Sequence, residues 1–203
     1  MILEFLFAAL LIELTPGPNM TYLALLAANQ GRRAGFAAAL GVGLGLSAYA
    51  ALAAFGLGSI LAHNPLLLRV LRAAGAGYLV YLAWEAWAPT RENSPGLAPM
   101  GVPNSFWHSP FWRGLITNLF NAKAAVFYTL LLPRFMETGA APYWLQGLRL
   151  GATHIAVATA VHATIILGAA QAHGFVSAAA DRAPVRAAFA AALIATAFWL
   201  ATG

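Results

Sequence analysis

Six stretches of about 20 predominantly apolar residues, separated by Pro, Gly and Arg, limit what this chain can fold into. A bilayer's hydrocarbon core is roughly 30 Å thick and takes about 20 apolar residues per helical span. The runs lie near Met1–Ala28, Gly35–Leu61, Pro65–Trp87, Phe111–Leu132, Tyr143–Gln171 and Pro184–Ala201. The stretch AGFAAALGVGLGLSAYAALAAFGLG is apolar all round, whereas a membrane β-strand alternates over roughly 10 residues. Composition agrees: 61% of the 203 residues are hydrophobic and 8% charged. The expectation is an all-α integral membrane protein with six transmembrane helices.

The N-terminus carries Glu4, lacks a basic leader and shows no small-residue cleavage site, so the first span is expected to persist. The net charge of +5 comes from arginines scattered over short loops, which argues against nucleic acid as a partner. Cysteine is absent, which excludes disulfides, thiolate catalysis and Cys-ligated metals. No Walker lysine motif, nucleophile elbow or HExxH occurs, so neither an ATPase nor an enzyme is expected, and no cofactor is implied.

The longest polar stretch, Ala88 to Pro110, divides a single transmembrane domain (1–203) into a first repeat (about 1–88), a loop (about 89–110) and a second repeat (about 111–203). Three spans per half force the halves into opposite orientations. Each half also opens on an interrupted span, LIELTPGPNMTYLALL and LITNLFNAKAAVFYTLL. Together these features predict two inverted three-helix repeats with the first and fourth helices interrupted, the layout of many secondary transporters. Arg32, Arg33, Arg91, Arg113, Arg182 and Arg186 against Arg69, Arg72, Arg134 and Arg149 place both termini outside.

Within the first interruption, Pro16 and Pro18 remove the helical partners of the Ile12 and Leu14 carbonyls. In hydrocarbon such groups are tolerated only against protein or water. Thr15 before Pro16 reads as the N-cap of a second half-helix. Freed carbonyls and Glu13 would attract an ammonium and a helix start a carboxylate, so Glu13, Thr15, Pro16, Gly17, Pro18 and Asn19 suit a zwitterion. A plain kink remains the alternative. In the second half, Asn118, Asn121 and Lys123 lie a few residues into the span, and Lys123 is the only lysine beside ten arginines. An intramembrane lysine is costly, so it either serves a site, pairs with Glu13 across the repeats, or snorkels. Glu13 is equally a proton carrier or a structural partner.

His154 and His162, eight apart and about 80° apart around a helix, are candidate pathway residues or satisfied core histidines. Without a carboxylate nearby they make a poor metal site. Glu85 between Trp84 and Trp87 reads as an acid snorkelling in an aromatic belt, and GVGLG and AGAG as close helix packing.

The segments TPGPNM (15–20), GRRAGFAAALGVGLG (31–45), GAGYLVYLAW (75–84) and FWRGLITNLFNAKAAVFYTLLLPRF (111–135) resemble the LysE/RhtB group of bacterial amino-acid exporters, in order and spacing, along essentially the whole chain. The resemblance implies a six-helix, multi-pass exporter of the bacterial inner membrane, driven by protons, with an amino acid as substrate. The family's Pro-Gly-Pro falls on Pro16, Gly17 and Pro18, and its Asn-Pro-Lys on Asn121, Ala122 and Lys123. Ala122 replaces that proline, which predicts a less interrupted fourth helix. Efflux of a metal cation is the alternative chemistry, disfavoured by the missing cysteines; a non-transporting scaffold subunit is the alternative class. A homodimer is compatible with the little volume six short helices enclose.

Overall fold

The computed structural model describes residues 2–15, 17–56, 64–87, 109–137, 139, 141–179 and 182–202. It contains helices α1 (Ile2–Leu14), α2 (Pro18–Ala54), α3 (Pro65–Trp87), α4 (Pro110–Leu119), α5 (Ala122–Val126), α6 (Tyr143–Ala170), α7 (His173–Ala179) and α8 (Ala183–Thr202). Helix α5 continues into a π turn, Phe127–Leu131, and a 3-10 turn, Leu132–Phe135. No strand occurs among the described residues. Pro16 and most of the polar stretch expected to divide the halves lie outside them, as does the end of the second apolar run.

Helix α2 holds one residue outside helical geometry, Gly31, at φ 80° and ψ 177°. That left-handed backbone favours glycine. A Cβ on Gly35 would lie 3.1 Å from the Ala27 Cβ, although eight residues of straight helix span about 12 Å. The chain therefore folds back on itself at Gly31. The expected loop between the first two apolar runs shrinks to this residue, with Arg32 and Arg33 already helical.

By length and composition, Pro18–Ala54, Pro65–Trp87, Tyr143–Ala170 and Ala183–Ala201 can cross a bilayer, and Pro110–Leu119 with Ala122–Phe135 form a further span bent by 51°. Leu3, Phe7, Leu40, Phe175 and Phe198 stay exposed, an outer surface suited to lipid. The chain is thus an all-helical, multi-pass membrane protein.

Helix α2 lies along α4 and α6, while α3 packs on α8. The α2–α4 contact is backbone to backbone: a Cβ on Gly41 would collide with the Phe111 carbonyl, and one on Gly114 with that of Ala38. With no hydrophobic drive between helices in lipid, such close approach supplies dispersion contact. Of GVGLG, Gly41 and Gly45 meet α4, whereas Gly43 faces open space.

Candidate functional site

Helix α1 ends at Leu14, and α2 restarts after Gly17, whose extended backbone (φ −171°, ψ 179°) precedes Pro18 at the first helical position. Proline fits there because the first helical N–H has no partner anyway. The expected cap fails: Gly17, not Thr15, occupies the N-cap position, and the Thr15 hydroxyl instead donates to the Leu11 carbonyl at 2.9 Å.

The carbonyls released at the break are taken by a distant cation. Lys123 Nζ donates to the carbonyls of Ile12 and Thr15, both at 2.9 Å. A cation at a helix C-terminus satisfies orphan acceptors and opposes the negative end of the helix dipole. Lys123 thus caps α1 from across the fold, reaching the backbone rather than taking the alternatives of snorkelling or pairing directly with Glu13.

The second break survives the loss of its proline. The Asn121 side chain accepts from the Lys123 N–H at 3.0 Å and so caps α5, with Ala122 at the first helical position. Proline is favoured at that position but not required. The span stays interrupted, with a 51° bend, although alanine stands where the resembling family has proline. Tyr49 donates its hydroxyl to the Leu119 carbonyl at 2.7 Å, satisfying an acceptor at the end of α4.

Glu13, only 5% exposed, meets both histidines of α6. Its Oε1 lies 3.0 Å from His154 Nε2, and its Oε2 lies 3.3 Å from His162 Nε2. The second contact is within ion-pair distance but off hydrogen-bond geometry, so His162 Nε2 keeps an unused position. The expectation of histidines without a carboxylate is overturned, because the fold brings one from α1. Among the described residues no three His, Cys, Asp or Glu side chains are arranged to hold a metal ion.

His154 is fixed on three sides. Its Nδ1 lies 2.9 Å from the Tyr128 hydroxyl and its ring stacks on Phe127 at 4.0 Å between centroids. If Nδ1 accepts from Tyr128, Nε2 carries the proton donated to Glu13, and a neutral imidazole satisfies every partner. Tyr128 and Phe127 lie on the π turn, an irregularity often found at functional sites. Sequence reasoning missed Tyr128; its one signal was its place five residues after Lys123.

Asn19 Nδ2 donates to Asn118 Oδ1 at 2.8 Å, joining the two interrupted spans. Asn19 Oδ1 and Asn118 Nδ2 are buried without partners, leaving one acceptor and one donor. Glu13, Asn19, Asn118, Asn121, Lys123, His154 and His162 are therefore brought together or linked through shared partners, and Gly17 backs onto Lys123, 3.5 Å from where a Cβ would be. Thr15 is exposed and contributes its carbonyl.

Glu85 does not snorkel. Arg113 grips it through two hydrogen bonds, 2.6 and 2.9 Å, Tyr81 adds a third at 2.9 Å, and both charged groups are buried. Arg113 is consequently not a loop charge that sets orientation.

The LysE type translocator family matches residues 10–203. The uncharacterized membrane protein YahN of Escherichia coli is 33% identical over 114 residues, 56% of this chain and 50% of that protein. An uncharacterized membrane protein of Pseudomonas aeruginosa is 33% identical over 132 residues, 63% of this chain and 60% of its own length. One of Vibrio cholerae is 27% identical over 155 residues, 76% of this chain and 74% of its own. The chain thus spans about half to three fifths of the first two relatives. No solved structure gives a significant match. A match over nearly the full length, carrying both interrupted spans, places this chain in the LysE type translocator family.

Proposed function

We propose that the protein exports amino acids or related small zwitterions across the bacterial inner membrane, coupled to protons, through a site between two interrupted helices. The observation that carries this reading is the joining of the two breaks: Lys123, beside the second, is bonded to the carbonyls of the first, at positions flanking a carboxylate that faces two imidazoles. A substrate carboxylate would compete for Lys123 and an ammonium for the carbonyls it releases. Six spans in two inverted repeats, with Pro18–Gln30 completing the span begun by α1, fit this arrangement. At 13 residues α1 is about 20 Å long and cannot cross alone.

Glu13 is the proton carrier in this scheme. Unlike a guanidinium, its imidazole partners can be neutral, so a proton gained by the carboxylate leaves only the carbonyl-bound Lys123 ammonium as a fixed charge beside it. In proteoliposomes loaded with amino acid, Lys123→Ala and Glu13→Gln are expected to abolish efflux driven by a pH gradient, while size-exclusion profiles in detergent stay those of wild type. Normal driven efflux in both variants would sink the site assignment.

A further inference from the structure

Two spaces adjoin the first break, and they differ in capacity. The space among Ile12, Glu13, Asn19, Asn121, Lys123 and His154 holds about 0 Å³, too little for a water molecule. It can take a proton but no solute. Beside Gly17 lies an open cavity of about 320 Å³, lined by Thr15, Gly17, Thr21, Ala195, Thr196 and Trp199, of which Thr15, Ala195 and Trp199 are exposed. That size is at the lower end of small-molecule sites.

No residue lines both spaces, but Gly17 of the second lies close to Lys123 of the first. A Cβ at Gly17 would lie 3.5 Å from Lys123 Nζ, so the missing side chain leaves only backbone between the ammonium and the cavity. Thr15 also lines the cavity, and its carbonyl already accepts from Lys123.

We propose that this cavity holds the side chain of the transported amino acid and selects neutral side chains. The inference rests on the exporter reading. It separates the place where the proton binds from the place where the substrate's body lies, with Lys123 between them. A substrate backbone at Gly17 would set its carboxylate against Lys123 and its side chain toward α8.

The lining decides the class of substrate. None of the six residues is ionisable, so a lysine, arginine, aspartate or glutamate side chain would enter without a counter-charge. Trp199 supplies an apolar plate. The Thr15 hydroxyl proton is committed to Leu11, leaving its lone pairs to accept. The Thr196 hydroxyl can donate to Ala192 or to Thr21 at 3.1 Å, and its single proton serves one at a time. Hydroxyl-bearing and aliphatic side chains are both accommodated.

Counterflow in proteoliposomes tests this, with alanine, serine, leucine, phenylalanine, lysine and glutamate as trans substrates. Neutral amino acids are expected to exchange at least about ten-fold faster than lysine or glutamate, the scale of pocket-based discrimination. Ala195→Phe grows from an exposed position on α8 into the cavity. It should cut leucine and phenylalanine exchange about ten-fold more than it cuts alanine and serine exchange. Trp199→Ala should shift the size preference the opposite way. Charged amino acids exchanging as fast as leucine would overturn the inference and leave the exporter reading standing. So would an unchanged size order in both variants, the result expected if a lipid acyl chain fills the cavity. No exchange of any amino acid would sink the exporter reading and this one with it.

Discussion

Glu13 and Glu85 are both carboxylates buried in an apolar chain, and their partners differ in kind. Glu85 is held by a guanidinium that never loses its charge, in a two-pronged grip reinforced by a tyrosine hydroxyl. Glu13 faces two imidazoles, one in full hydrogen-bond geometry and one at ion-pair distance without it. The first arrangement pairs the carboxylate with a fixed charge. The second surrounds the carboxylate with side chains that donate or accept according to tautomer. The difference separates a carboxylate that fastens helices from one suited to carrying a proton.

The two carboxylates should respond most differently when Glu85 loses its arginine and Glu13 loses its own charge. Arg113→Ala leaves Glu85 buried and unpaired and is expected to destabilise by about 3–5 kcal/mol, read as a lowered melting temperature or lost yield in detergent. Glu13→Gln keeps an acceptor for His154 and is expected to shift stability by about 1 kcal/mol or less while ending proton-driven export. Equal destabilisation of the two variants would mean that both carboxylates are fasteners.

A finer test acts on the imidazole. Tyr128→Phe removes the hydroxyl at His154 Nδ1, costing about 1 kcal/mol and freeing the tautomer. The pH profile of efflux should then move while the preference among substrates stays. An unchanged profile would show that the tautomer is fixed elsewhere. The smallest effect is expected from Ala122→Pro, which restores the family's proline at a helix N1 position. Asn121 already caps that helix, so a stability change within about 0.5 kcal/mol is expected.

Much of the helical layout was legible because lipid imposes length. Pro65–Trp87 was read to the residue, and the expected run Tyr143–Gln171 differs from α6 by one. The first break was legible because two prolines remove the helical donors of specific carbonyls, and one of these, at Ile12, accepts from Lys123 as well as from the Thr15 N–H. What sequence could not supply was pairing across the fold. Glu13 and His154 are 141 positions apart, and Glu85 and Arg113 are 28 apart on different helices. An acid between tryptophans has the same local pattern whether it snorkels or meets an arginine. Residues near the cavity were missed for a related reason: Thr196 and Trp199 lie in an apolar run with no local break to mark them.

In the proposed mechanism Glu13 binds the coupling proton. The most direct test compares two fluxes of one variant in the same proteoliposomes. Glu13→Gln should retain exchange of amino acid across the membrane at equal pH, yet gain nothing from an imposed pH gradient, whereas the wild type is accelerated. Gradient-driven accumulation by Glu13→Gln at the wild-type rate would contradict the claim.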